Sequence, residues 1–227
     1  MEYQTISQTG SLAFEKNKVL RNTYMMLALT MVPTVIGAFV GLSINFSFMA
    51  LHPVMAPLLM FGAMLAMLFG VTALRNSVWG VVMLLGFTFV AGVFLGPILQ
   101  HALHLRNGAQ LVGMAAGGTG LIFFSLAAFA TVTKKDFSFM GKFLFIGLIL
   151  LLIASFANLF FAIPALSLTI SAVAILLFSA YILYDISQIV NGGETNYVMA
   201  TLALYLDIYN IFVNLLNILM ALTGERD

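Results

Sequence analysis

The chain has 227 residues, 62% hydrophobic and 7% charged, with nine basic against eight acidic side chains. Soluble domains carry about 25% charged residues, so the composition excludes a water-soluble globular domain, a disordered chain and a nucleic-acid binder. There is no cysteine, which removes disulfides, thiolate catalysis and cysteine metal sites. What remains is an all-α polytopic membrane protein.

Residues 1–22 read as a polar tail, with Lys16, Lys18 and Arg21 placed just before the first apolar run. That run, 23–44, is too long for the apolar core of a signal peptide and lacks a small-residue cleavage site, so it is expected to be a retained first span. Pro33 lies inside it and is expected to kink it. Six further apolar runs follow at 53–74, 78–99, 109–132, 139–163, 166–190 and 197–222. Each exceeds the roughly 20 residues that a helix needs to cross a bilayer. The breaks between them (45–52, 75–77, 100–108, 133–138, 164–165 and 191–196) are short, which forces neighbouring spans antiparallel. Residues 223–227 are left as a C-terminal tail. The expected architecture is a seven-transmembrane-helix bundle over residues 23–222. Strands of an outer-membrane barrel would be shorter and would alternate polar with apolar residues.

Basic residues set the orientation. Seven spans place Lys16, Lys18, Arg21, Arg75, Lys134, Lys135 and Lys142 on one side, and only Arg106 and Arg226 on the other. The N-terminus is therefore expected in the cytoplasm. If the last segment re-enters instead of crossing, only Arg226 changes side. In the fourth span Gly113, Gly117 and Gly120 line one helix face, and they are expected to permit close helix approach.

Of the eight acids, only Asp185 and Asp207 fall inside spans. An aspartate at the centre of a membrane helix costs about 2.5–3.5 kcal/mol on insertion scales, and such residues face the bundle interior and mark ion or proton paths. Asp207 continues with Asn210, Asn214 and Asn217 on one face of the seventh span. Tyr181, Asp185 and Gln188 share a face of the sixth. Two polar stripes on adjacent helices need each other, or water, to satisfy their hydrogen bonds. Asp185 lies about 5 residues before the connecting loop and Asp207 about 11 after it, a depth mismatch of about 9 Å at the helical rise. Contact would require tilt, slip or an irregular turn. Two carboxyls in contact would share a proton and so sense pH. Deprotonated, they would offer hard oxygen ligands suited to transient Ca²⁺ binding. Arg75 is a candidate latch, an ion pair with Asp185 that would close the cytoplasmic mouth; the alternative is an ordinary loop arginine. His52, His101 and His104 read as solvated interface residues, and serines within spans as helix-to-helix hydrogen-bonding groups. No catalytic triad, phosphate loop or metalloprotease motif appears, so no enzyme activity is expected, and no cofactor beyond Ca²⁺ as a permeant or transiently bound ion.

The segments Ser179-Ala-Tyr-Ile-Leu-Tyr-Asp-Ile-Ser-Gln-Ile-Val190 and Leu204-Tyr-Leu-Asp-Ile-Tyr-Asn-Ile-Phe-Val-Asn-Leu-Leu216 resemble the transmembrane Bax inhibitor motif family, of the Bax inhibitor-1 type. Lys134-Lys-Asp-Phe-Ser-Phe139 resembles that family's loop between the fourth and fifth spans. Lys18-Val-Leu-Arg-Asn-Thr-Tyr24, Gly96-Pro-Ile-Leu99 and Gly192-Gly-Glu-Thr-Asn-Tyr197 are most similar to its proteobacterial YccA branch. The resemblance implies a seven-helix protein of the bacterial inner membrane. It also implies that Asp185 and Asp207 match paired aspartates acting as a pH-sensitive latch on a calcium leak path. The family's latch arginine is matched only loosely, by Arg75. The branch further implies association with the membrane protease FtsH, whose activity it moderates. Two functions stay open: a proton-gated cation leak, and a non-transporting regulatory partner of a membrane protease.

Overall fold

In the computed structural model the structure describes residues 2–224, with side chains described for 18–49 and 51–223; Glu225, Arg226 and Asp227 lie outside the described residues, as do the side chains of Glu2, Glu15 and Lys16. The described residues form helices and turns only. These are α1 (Glu2–Ser43), α2 (Ser47–Leu51), α3 (Met55–Leu74), α4 (Val78–Phe94), α5 (Gly96–His104), α6 (Gly108–Thr133), a 3₁₀ turn (Ser138–Met140), α7 (Gly141–Phe161), α8 (Pro164–Asn191) and α9 (Tyr197–Gly224).

Seven helical segments are long and apolar enough to cross a membrane. They are Lys18–Ser43, Met55–Leu74, Val78–His104, Gly108–Thr133, Ser138–Phe161, Pro164–Asn191 and Tyr197–Thr223. The expected spans are recovered, with three differences. The polar segment ahead of the first span continues as helix, so α1 is 42 residues long. At 1.5 Å per residue it measures about 63 Å, twice the ~30 Å hydrocarbon thickness, and Pro33 sits inside it without ending it. The third span runs past 99 to His104 and breaks at Leu95, just before Gly96 and Pro97. Its added turn carries Gln100, whose Nε2 donates to the carbonyls of Gly41, Leu42 and Ile44 at 3.1, 3.2 and 2.8 Å. Gln100 thus satisfies the orphan carbonyls at the end of α1, a task that helix termini impose. The first loop holds the short helix α2. Helix α9 is unbroken over 28 residues, about 42 Å, which is enough to cross.

Polarity sets the order of the bundle. Helix α9 has the lowest mean hydropathy of the seven spans, 1.6, and it packs against α1, α4, α5, α6 and α8. Helix α7 has the highest, 2.6, and leans mainly on α8 and the 3₁₀ turn beside it, with Phe143, Phe145, Ile146 and Leu150 exposed as a lipid-facing surface. Lipid tails are as apolar as leucine, so only polar or close-packing faces gain from moving inward.

The expected glycine contact is not where the fourth span suggested. A Cβ built on Gly113, Gly117 or Gly120 meets nothing within 4 Å, so that face of α6 packs against no neighbouring helix. Close approach occurs between α1 and α4 instead. There a Cβ on Gly37 would strike the Phe89 carbonyl oxygen, one on Gly41 the Val93 carbonyl oxygen, and one on Gly92 the Thr34 carbonyl oxygen. Small residues spaced along a helix make a smooth face, but only the neighbour decides whether it is used.

Two loops on the basic side are tied down. Asn196 accepts from the amides of Val198 and Met199 as the N-cap of α9, and its Nδ2 donates to the Arg75 carbonyl and to Asn76 Oδ1 at 3.1 and 2.8 Å. Ser187 of α8 accepts from the Phe137 amide at 2.9 Å and donates to the Lys135 carbonyl at 3.1 Å, anchoring the loop before α7. In that loop Ser138, through its hydroxyl and its amide, holds the exposed Asp136 carboxyl below the ordinary carboxylate range.

Candidate functional site

Asp185 and Asp207 meet. Their carboxyl groups lie within hydrogen-bonding reach of one another across the α8–α9 contact. Asp207 is 4% exposed, whereas Asp185 is half-buried on the flank nearer the turn. Among the described buried side-chain polar atoms, Asp207 Oδ2 is the one with no hydrogen-bond partner.

The depth mismatch is closed by local geometry. Gly192 takes φ 84° at the end of α8, and the amides of Gly193 and Glu194 both donate back to the Gln188 carbonyl at 2.7 and 3.1 Å. The chain therefore returns toward the level of Gln188 before α9 begins. The positive φ makes Gly192 the glycine this turn requires; a Cβ at Gly193 would meet only the flexible end of Gln188. Side chains also lean toward the N-terminus of their own helix. In antiparallel α8 and α9 that leans Asp185 away from the turn and Asp207 toward it, so the two converge. Glu194, in the turn, is close enough for its charge to act on Asp185.

The other expected site residues divide. Asn217 does bridge the two helices: its Nδ2 donates to Ser171 Oγ at 2.9 Å and Ser167 Oγ at 3.4 Å. The reading of span serines as interhelical hydrogen-bonding groups holds for Ser167 and Ser171, whereas Ser43 and Ser155 donate to carbonyls of their own helices. Asn210 and Asn214 are half-buried and turn their amides back on the Leu206 and Asn210 carbonyls, both at 2.8 Å. Tyr181 lies beside the pair, close to Asp185, Asp207 and Tyr184, and Gln188 belongs to the turn.

Arg75 forms no ion pair with Asp185. Its side chain is exposed at the end of α3, its carbonyl is held by Asn196, and the charges acting on Asp185 come from acids alone. The latch contact expected from the sequence is therefore absent in this conformation, because the Asn196 bridge fixes the Arg75 backbone at the loop surface. His52 stacks on Phe48 with ring centroids 4.6 Å apart, and His101 and His104 are exposed. Among the described residues no cluster of three or more histidine or acidic side chains could hold a metal ion.

A second polar network went unread in the sequence. Tyr205 of α9 is fully buried. Its hydroxyl lies 2.9 Å from Thr34 Oγ1 and donates to the Thr88 carbonyl at 3.3 Å, while Tyr209 OH donates to the Ala91 carbonyl at 3.2 Å. These contacts lock α9 to α1 and α4 on the side away from the aspartates. The i, i+4 spacing of Tyr205 and Tyr209 was the available signal, but it resembles any aromatic stripe.

The acid pair offers up to four hard oxygens, one of them unpartnered. Calcium takes six to eight oxygen ligands, so the pair fits a passing cation, with the remaining ligands from water, better than a resident one.

Known proteins supply the remaining context. The family described as inhibitor of apoptosis-promoting Bax1 matches residues 16–224. An Escherichia coli K12 protein named modulator of FtsH protease YccA is 42% identical over 203 residues, covering 89% of this chain and 90% of its own. A membrane protein of Vibrio cholerae is 40% identical over 221 residues, covering 96% and 97%. A Neisseria meningitidis protein is 40% identical over 214 residues, covering 92% and 93%.

Proposed function

The chain belongs to the Bax inhibitor-1 type family, and on that footing we propose that it is a pH-sensitive cation leak, chiefly for Ca²⁺, with Asp185 and Asp207 as its gate. The observation that carries this reading is the meeting of the only two acids at membrane depth, with Asp207 Oδ2 buried and unpartnered. Two like charges in contact in a medium of low dielectric repel strongly. A shared proton removes that repulsion and joins α8 to α9. Loss of the proton sets the carboxylates against each other, loosens the contact and frees their oxygens for a cation. On this reading the gate is shut in the conformation described, which is supported by Asp207 being 4% exposed and by its absence, with Asp185, from the linings of the cavities of about 1130 and 290 Å³. Arg75 joins the proposal as a latch only in a conformation where the α3–α4 loop leaves Asn196. The polar stripe of Asn210, Asn214, Asn217, Gln188 and Tyr181 is proposed to line the path once α8 and α9 part. The test is Ca²⁺ entry into liposomes holding only this protein. Asp185→Asn is expected to change that entry; unchanged entry contradicts the proposal.

A second reading rests on the relative named as a modulator of FtsH protease, which aligns over 89% of this chain. In it the protein transports nothing and regulates a membrane protease, placed in the bacterial inner membrane with the N-terminus cytoplasmic. Co-purification with FtsH, measured with and without the segment before the first span, tests it.

A further inference from the structure

A large cavity lies apart from the acid pair. Helices α1 and α6 are both held by α9 but are not packed on one another along their length. Between them lies a cleft of about 1130 Å³, larger than the ~300–1,000 Å³ of an ordinary small-molecule pocket. On α1 it runs from Tyr24 to Leu42, about 27 Å at the helical rise, close to the ~30 Å hydrocarbon thickness. Its lining is apolar, and rim residues such as Phe39, Phe124 and Val132 are 67%, 71% and 79% exposed, so it opens sideways into lipid.

The two ends differ in charge. At the Tyr24 end, Arg21 continues the α1 face that carries Tyr24, Ala28, Met31 and Val35 in steps of three and four. Helix α6 supplies Thr131 and Val132 there, and the chain leaves it through Lys134 and Lys135. All three cations are exposed and form no ion pair among the described residues. At the same end Tyr24 OH lies 3.4 Å from Thr131 Oγ1, which puts two hydroxyls at that mouth. At the opposite end the described residues supply one arginine, Arg106, in the turn before α6.

We propose that this cleft is a binding site for an anionic phospholipid of the leaflet on the Arg21 side, its acyl chains lying between α1 and α6 and its headgroup phosphate held by Arg21, Lys134 and Lys135. An apolar trough that opens to lipid along its length accepts acyl chains. Three exposed cations at one mouth, with no ion pair among the described residues, select a negative headgroup, as basic clusters beside membrane helices do. A docked helix from another protein would be served by the trough but would have no use for the cations.

The test is native mass spectrometry of the full chain released from vesicles of phosphatidylcholine containing a minor share of phosphatidylglycerol. The wild type is expected to retain phosphatidylglycerol, enriched over the bulk lipid. K134Q/K135Q is expected to keep a lipid but lose the enrichment, by roughly fivefold per charge removed. Ala128→Trp, on the exposed lining, is expected to abolish retention. Gly120→Phe serves as a second filling variant, because a Cβ there meets nothing within 4 Å. Thermal melting establishes that each variant is folded. Retained lipid at bulk composition, undiminished retention in a folded filling variant, or a lipid-free dimer joined through the cleft would each overturn the proposal.

Discussion

The carboxyl of Asp207, well inside α9, meets that of Asp185, near the end of α8, because the Gly192–Gly193 turn brings the chain back toward Gln188 and the two side chains lean toward each other. The contact joins the most polar span to its sequence neighbour at the point where an unpaired acid is most costly. In the proposed gate its cohesion depends on a proton.

If the turn sets the register, side chains at its glycines should disturb the pair. Gly192→Val would place a β-branched side chain at φ 84°, a conformation it resists, and shift α9 relative to α8. The expected result is a folded protein with a lower melting temperature and an altered response of Ca²⁺ entry to pH. An unaltered response would show that register is set elsewhere.

Glycine substitutions should separate used from unused faces. Gly37→Leu and Gly92→Leu place side chains against the Phe89 and Thr34 carbonyls, and overpacking of this kind costs about 1–3 kcal/mol or more. Gly117→Ala meets open space and removes a flexible residue from a helix interior, which is worth about 0.5–1 kcal/mol in its favour. Melting of the detergent-solubilised variants should rank them in that order. Equal losses in all three would contradict the packing described.

The Asn217 bridge is a modest support. Removing one interhelical hydrogen bond in a membrane protein costs about 0.6 kcal/mol on average. Asn217→Ala should therefore lower thermal stability slightly, and Ser171→Ala combined with it should add little, since both act on one bond. Additive losses would show separate roles.

Much of this was readable from residue types. Seven apolar runs of span length, split by short polar breaks, leave few alternatives to a helical bundle, and two lone acids inside the membrane announce themselves by their cost. What lies against each face was not readable. Gly113, Gly117 and Gly120 look like a packing stripe, yet they face open space, while Gly37, Gly41 and Gly92 carry the close contact. The break at Leu95 hides in an unbroken apolar run, and Gln100 reads as loop until it is seen covering the end of α1. Arg75 illustrates the limit for charges: its position near Asp185 in topology does not bring the side chains together.

Orientation follows from charge. A reporter fused at residue 10 should read as cytoplasmic, because seven of nine basic residues fall on that side. A periplasmic signal would overturn the orientation, and with it the leaflet assigned to the cleft.

The segment before the first span is the proposed handle for FtsH. Deleting residues 2–12 spares Lys16, Lys18 and Arg21, so insertion should persist, while co-purification with FtsH falls and cellular lifetime lengthens. Unchanged co-purification and turnover would leave that segment with no docking role.

The most direct measurement is Ca²⁺ entry into liposomes containing only this protein, compared between wild type and Asp207→Asn from about pH 6 to pH 8. The asparagine keeps the shape of the side chain and can still hydrogen-bond to Asp185, but it cannot share a proton. The wild type should show entry that changes with pH, and the variant entry that does not. Identical curves for the two proteins would contradict the acid-pair gate.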